Sequence, residues 1–145
     1  MIVLDVNLLI YAADRSAAKH DAARQWLQSI ISGSELIGLP WQTIQAFLRI
    51  TTNPRISGGQ VSIERSIGAI QQWIDLPHVR VLSPGERHWD QLQRMLIDGQ
   101  APGPMASDAH LAALTLEYGG VLHTTDRGFA RFPGLRWVNP LEAVT

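Results

Sequence analysis

The sequence contains no cysteine, and Lys19 is the only lysine among its 145 residues. The absence of cysteine excludes disulfide bonds and thiolate metal sites, and it favours a cytoplasmic protein. No apolar run approaches the roughly 20 residues that a membrane-spanning helix needs. The chain begins MIVLD, without the basic segment that opens a signal peptide. We therefore expect a cytoplasmic protein without a membrane segment.

An excess of positive charge is also missing, because the formal net charge is −1. Any contact with RNA must then come from a local patch rather than from an overall positive field. Eleven of the twelve basic residues are arginines, which suit bidentate phosphate contact, although a GC-rich coding bias would give the same composition. Glycine-rich nucleotide-binding fingerprints are absent, so a Rossmann or P-loop function has no support.

The order of apolar and amphipathic segments predicts an α/β fold. Short apolar segments at 1–4, 36–39, 79–82, 121–125 and 135–138 predict strands, and periodic segments at 16–32, 41–51, 62–76 and 86–97 predict helices. Strands that alternate with helices favour a parallel sheet covered on both faces. We expect one domain over residues 1–145, with three α/β/α layers around a mainly parallel sheet of four to five strands.

Carboxylates stand where two predicted strands end and where one helix begins. Asp5 follows the first strand, Asp126 follows the fourth, and Asp108 opens the helix that leads into that fourth strand. In open α/β sheets, ligands bind beyond the carboxyl ends of the strands. Acids that converge there cannot all stay ionised cheaply without a cation, and hard oxygen ligands favour Mg²⁺ or Mn²⁺. The pattern predicts an acidic metal site.

Each of these residues also has an ordinary structural interpretation. Asp5 is a suitable cap for the next helix, Asp126 is suited to a turn, and Asp108 fits the positive end of a helix dipole. Asn7, beside Asp5, either orients that carboxylate or caps the short helix that begins near it. A metal site is favoured over these alternatives only because all three acids are expected at the same end of the sheet.

Four segments in order resemble the PIN-domain ribonucleases, and closely the VapC toxins of bacterial toxin–antitoxin pairs. They are IVLDVNLLIYA at 2–12, FLRITTNPR at 47–55, SDAHLAAL at 107–114 and TTDRGFARFPGL at 124–135. Any one of these segments alone would be a weak match. Together they span nearly the whole chain, so the resemblance implies a PIN-like fold.

The resemblance implies a Mg²⁺- or Mn²⁺-dependent endoribonuclease toxin that hydrolyses RNA with a metal-activated water. It also implies neutralisation by a cognate VapB-like antitoxin and a homodimeric state. The acidic positions of the family carry over onto Asp5, Asp108 and Asp126 as catalytic and metal-binding residues. Asn7 and Thr125 fall where polar side chains support the cation.

One departure from the family concerns Ala46, which stands where a glutamate commonly precedes the FLR segment. Three carboxylates hold one ion well and two poorly, so we expect one firmly bound Mg²⁺ and a weak second ion. The departure also leaves a rival open: a weakly active or inactive PIN domain that binds RNA or antitoxin. A phosphatase forming an aspartyl-phosphate is disfavoured, because Asn7 replaces the second aspartate that such enzymes usually have.

Several other side chains have two interpretations. Arg127 either contacts a scissile phosphate or pairs with a nearby acid. His110 lies two residues after Asp108, so the two side chains do not face each other on a helix and catalysis by His110 is disfavoured. The loop at 57–59 is either a gate or a plain turn. Three tryptophans are expected in the core or at a dimer contact: Trp26, Trp73 and Trp89.

Overall fold

The first strand, β1 (Ile2–Leu4), is buried on both faces and lies in the middle of the sheet. Because successive side chains of a strand point to opposite faces, Val3 packs into one core cluster, and Ile2 and Leu4 pack into the other. The computed structural model describes residues 1–55 and 61–142. The loop expected at 57–59 lies outside this range.

Five parallel strands form the sheet in the order β3-β2-β1-β4-β5. The other strands are β2 (Ile37–Pro40), β3 (Val79–Leu82), β4 (Val121–His123) and β5 (Trp137–Val138). Leu4 is in register with His123, and the amide of Asp5 donates to the carbonyl of His123 over 3.1 Å. The carboxyl ends of β1 and β4 therefore lie side by side.

Helices cover both faces, which confirms the expected three layers. Helices α1 to α4 supply side chains to the cluster around Ile2 and Leu4, whereas α5 and α6 supply side chains to the cluster around Val3. The helices are α1 (Val6–Ala13), α2 (His20–Ser32), α3 (Trp41–Thr51), α4 (Ile63–Ile74), α5 (His88–Asp98) and α6 (Ala106–Glu117). None of the described helices is both long and apolar enough to span a membrane.

Several predicted boundaries differ from the observed ones by two residues or more, and at two of them a side chain competes with the regular backbone pattern. Helix α2 begins at His20 rather than at Ser16, since Asp14 accepts hydrogen bonds from the amide and the hydroxyl of Ser16 and holds a turn there. Strand β4 ends at His123 rather than at Thr125, since the amide of Asp126 donates to the hydroxyl of Thr124. This second turn directs the chain toward the acidic residues.

Several apolar side chains on the helices are exposed. Ile63 and Ile67 on α4 are 46% and 51% exposed, and Trp89 on α5 is 63% exposed. Trp89 is therefore not a core residue, and its expected alternative, a dimer contact, stays a prediction. Trp26 and Trp73 are partly buried against the cluster around Ile2 and Leu4, as predicted. Helical periodicity identified the correct helices but overstated how wide their buried stripes are.

Candidate active site

Asp5 lies at the carboxyl end of β1 and caps helix α1. Its Oδ1 accepts from the amide of Val6 over 2.7 Å, and its Oδ2 accepts from the hydroxyl of Thr124 over 2.7 Å. Burial raises the pKa of Asp5, these two hydrogen bonds oppose the rise, and repulsion from Asp126 adds to it. The capping interpretation is therefore correct, and the same carboxylate also faces the end of β4.

Thr124 joins the ends of β1 and β4. Its fully buried hydroxyl donates to Asp5, and it accepts from the amide of Asp126 over 3.0 Å and from Nδ2 of Asn7 over 3.5 Å. We expected Thr125 to support the site, but the hydroxyl that makes these bonds lies one position earlier. The alternation of buried residues along β4, Leu122 and then Thr124, was the signal that could have selected it.

Asn7 lies inside α1 and does not cap it, because Asp5 occupies the capping position. Its Nδ2 points toward Thr124. Its Oδ1 is buried and has no hydrogen-bond partner within the described part of the chain. A buried acceptor without a donor is costly, so this oxygen is available to a cation or to a water molecule beside Asp5.

Asp126 follows β4 and begins a short 3₁₀ helix, Arg127–Arg131. Its Oδ1 accepts from the amide of Gly128 over 2.8 Å. A Cβ atom at Gly128 would lie 2.9 Å from that same oxygen, so glycine leaves the carboxylate room. The turn interpretation is correct for Asp126, and the turn holds the carboxylate in place near the other two acids.

Asp108 lies in the first turn of α6. The preceding loop reaches this helix through Gln100 and Gly103, whose φ angles are 47° and 61°. Burial raises the pKa of Asp108, repulsion from Asp126 and then from Asp5 raises it further, and the charge of Arg131 opposes the rise. The three predicted acids therefore lie within electrostatic range of one another.

The carboxylates are near one another without sharing a coordination sphere. Across residues 1–55 and 61–142, no three His, Asp or Glu side chains are arranged closely enough to hold a metal ion as they stand. A hard cation would nevertheless bind the carboxylate oxygens and the Oδ1 of Asn7, and its positive charge would reduce the repulsion between the carboxylates. The residues present fit Mg²⁺ or Mn²⁺, provided that their side chains draw together around the ion.

The two arginines near the site have different contacts. Arg127 pairs with Glu142 over 2.8 Å at an exposed position, as the surface-pair interpretation predicts. Arg131, which the sequence analysis missed, donates to the carbonyl of Gln100 over 3.2 Å and to the sulfur of Met105. The loop before α6 thus holds Arg131 close enough to act on Asp108. No local sequence signal distinguishes Arg131 from the other arginines.

His110 contacts α5. Its Nδ1 lies 2.7 Å from Nε2 of His88, and Nδ1 of His88 lies 2.5 Å from a carboxylate oxygen of Glu117. This partly buried chain of hydrogen bonds connects α5 to α6. Its position agrees with the expectation that His110 does not act together with Asp108.

An open groove of about 750 Å³ lies between α3 and the start of α6. Its walls are Trp41, Gln42, Ile44, Gln45, Leu48, Ala106, Ser107 and His110. Ser107 precedes Asp108, so one end of the groove adjoins the acidic residues. Ala46, on the same helix as Gln42, is partly buried and carries no polar group.

Comparison with known proteins shows the family to which this chain belongs. The PIN domain family model matches residues 2–135. Ribonuclease VapC43 of Mycobacterium tuberculosis is 37% identical over 145 residues, which is 100% of this chain and 99% of that protein. Ribonuclease VapC33 of the same species is 34% identical over 142 residues, covering 98% and 99% of the two chains.

A solved structure of VapBC-1 from nontypeable Haemophilus influenzae has the same fold. It superimposes with a TM-score of 0.68 at 22% identity, covering 98% of this chain and 100% of that one. The family model and the two VapC relatives span nearly all of the sequence. The chain is therefore a member of the PIN-domain family, of the VapC type.

Proposed function

We propose that this protein is an endoribonuclease toxin that hydrolyses RNA phosphodiester bonds with Mg²⁺ or Mn²⁺ held by Asp5, Asp108 and Asp126. The observation that carries the proposal is the placement of three acids from three separate elements within electrostatic range at one edge of the sheet. The buried Oδ1 of Asn7, which has no hydrogen-bond partner among residues 1–55 and 61–142, supports it. The names of the VapC relatives, which are called ribonucleases, support the substrate class.

A divalent cation, when bound, supplies the charge that activates a water molecule and stabilises the phosphate as negative charge develops. Asp5, Asp108 and Asp126 bind that cation as carboxylates. Thr124 orients Asp5 by donating to its Oδ2, and Asn7 presents its Oδ1 beside it. Thr125 remains a predicted supporting residue at the same turn. Because Ala46 adds no fourth acid, we expect one firmly held ion.

The proposed partners are a VapB-like antitoxin and a second copy of this chain. The solved VapBC-1 structure supports an antitoxin, and the resemblance to the family supports a homodimer. We also propose that the protein acts in the cytoplasm and that residues 1–145 form one domain. Light scattering on purified protein, alone and mixed with the antitoxin, would measure both assemblies. A protein that stays monomeric alone and does not bind the antitoxin would contradict both proposed assemblies.

The test of the metal site is Mn²⁺ titration by calorimetry on full-length, antitoxin-free protein. We expect one saturable site in the wild type and no measurable site in Asp5→Asn or Asp108→Asn. Asp90→Asn is the matched control, because Asp90 is an acid in the first turn of a helix, as Asp108 is, but lies exposed on α5 and away from the other acids. Equal binding in Asp108→Asn and in the wild type would refute the proposed metal site.

The test of the activity is cleavage of a mixed pool of cellular RNA by the same proteins. We expect cleavage that depends on Mg²⁺ or Mn²⁺, that is lost in Asp5→Asn and Asp108→Asn, and that stops when antitoxin is added. EDTA should abolish it. Cleavage that survives both substitutions, and that still stops when antitoxin is added, would contradict the assignment of these residues.

The second candidate is a PIN domain that binds RNA or antitoxin without cleaving RNA. Two observations favour it: Ala46 lacks a carboxylate, and no three acids or histidines within the described ranges are arranged to hold an ion as they stand. This candidate predicts RNA binding that is unchanged by Asp108→Asn, together with no Mn²⁺ site and no cleavage in the wild type. The two experiments above therefore separate the candidates.

A further inference from the structure

The start of helix α3 contacts both of the elements that carry the more buried acids. Nε2 of Gln42 donates to the carbonyl of Ser107 over 2.9 Å, and Oγ1 of Thr43 donates to the carbonyl of Leu4 over 2.8 Å. Ser107 directly precedes Asp108, and Leu4 directly precedes Asp5. Two consecutive side chains thus hold the backbone next to two acids that are far apart in the sequence.

This connection crosses from one helical layer to the other. Helix α3 packs with the cluster around Ile2 and Leu4, whereas α6 packs with the cluster around Val3. The hydrogen bond from Gln42 to Ser107 therefore connects the two helical layers across the end of the sheet where the strands have their carboxyl ends. Like charges on Asp5 and Asp108 push β1 and α6 apart, and the two hydrogen bonds from α3 oppose that separation.

We propose that Gln42 and Thr43 form a clamp that sets the spacing of Asp5 and Asp108 and thereby determines how tightly this protein binds a divalent cation. The inference rests on the proposed metal site. Gln42 and Thr43 are positioning residues in this proposal, because they act through backbone carbonyls that precede the two acids. In a site without a fourth carboxylate, the affinity for the cation depends more strongly on the spacing of the remaining acids.

The residue types at the clamp fit this role better than a role in packing. The hydroxyl of Thr43 is almost fully buried and has a partner on β1. The amide of Gln42 has its donor engaged, whereas its Oε1 is buried without a hydrogen-bond partner in the described part of the chain. An apolar side chain of similar length would remove that unpartnered acceptor, so packing alone would not select glutamine here.

The experiment measures Mn²⁺ affinity by calorimetry on full-length protein, beside the unfolding temperature of each cation-free sample. Removing a group that orients a metal ligand typically weakens metal binding 10- to 100-fold, so we expect about tenfold weaker binding in Gln42→Met and in Thr43→Val. Thr43→Ser keeps the hydroxyl and should restore the affinity. Gln45→Met, an exposed position on the same helix, should bind as the wild type does.

The outcomes distinguish the clamp from the metal site itself. If Asp108→Asn binds Mn²⁺ as the wild type does, the proposed metal site is wrong. If Asp108→Asn loses binding while Gln42→Met and Thr43→Val keep it, the site stands and the clamp is wrong. Equal losses in Thr43→Ser and Thr43→Val, or losses that follow the unfolding temperature, would also overturn the clamp. Weaker binding in Gln42→Met at an unchanged unfolding temperature supports it.

Discussion

Replacing Thr124 by valine should weaken both the fold and the proposed cation site while almost preserving the shape of the side chain. The hydroxyl is fully buried, donates to Asp5 and accepts from the amide of Asp126. A hydrogen bond to a charged group contributes about 1.5–3 kcal/mol and a neutral one about 1 kcal/mol. We therefore expect Thr124→Val to lower the free energy of unfolding by roughly 2–4 kcal/mol at neutral pH.

Thermal unfolding of the cation-free protein measures this effect. For a chain of this length, 1 kcal/mol shifts the unfolding temperature by about 4 °C, so the expected fall is about 8–16 °C. Thr115→Val is the matched control, because Thr115 is equally buried and its hydroxyl donates only to the Leu111 carbonyl of its own helix. Thr124→Ser keeps the hydroxyl and should lose only about 1 kcal/mol, for one methyl group.

The effect of Thr124→Val should also depend on pH. The hydroxyl of Thr124 lowers the pKa of Asp5 against the larger effect of burial, so its removal should raise that pKa further. The variant then loses most stability where Asp5 is ionised, and its difference from the wild type should shrink as the pH falls through the pKa of Asp5. Equal stability of Thr124→Val and Thr124→Ser at neutral pH would refute this account of the site.

Four further predictions concern charge around the site. The pKa of Asp108 is raised, so its ionisation destabilises the cation-free protein as the pH rises through that pKa. Asp108→Asn should therefore unfold at a slightly higher temperature than the wild type at neutral pH, and Asp90→Asn should not. Wild-type protein should gain about 2.7 kcal/mol from Mn²⁺ at 100 times its dissociation constant, which thermal unfolding would detect, and Asp108→Asn should gain none. Arg131→Gln should raise the pKa of Asp108 further in a carboxyl NMR titration, and Arg127→Gln should leave it unchanged. Ala46→Glu should bind Mn²⁺ more tightly by calorimetry, and weaker binding would contradict the view that the site lacks a carboxylate.

The sheet and the acids could be predicted because their signals are local. A strand buried on both faces reads as a continuous apolar run, and Asp5 directly follows such a run, so its position at the sheet edge follows from adjacency alone. Asp126 follows β4 in the same way after a turn. Parallel pairing then places the ends of β1 and β4 together without any knowledge of side-chain contacts.

The groups that connect these acids could not be predicted, because their partners are distant in the sequence. Thr124 donates to a carboxylate 119 residues away, and Gln42 donates to a carbonyl 65 residues away. Such contacts depend on how the helices dock, and neither residue type nor periodicity specifies that docking. The choice between Thr124 and Thr125 is the exception, because the alternation of side chains along the predicted strand puts Thr124 on the same face as Leu122.

For two of the acids, the structural and functional interpretations describe the same arrangement. Asp5 uses Oδ1 to cap α1, which fixes its side chain so that Oδ2 meets Thr124. Asp126 uses Oδ1 to hold the amide of Gly128, which fixes the orientation of its carboxylate. A ligand that is already oriented loses less conformational entropy when it binds. In the proposed metal site, this local capping would orient the carboxylates before a cation binds, so a cap or turn interpretation of an acid at a strand end does not argue against that proposal.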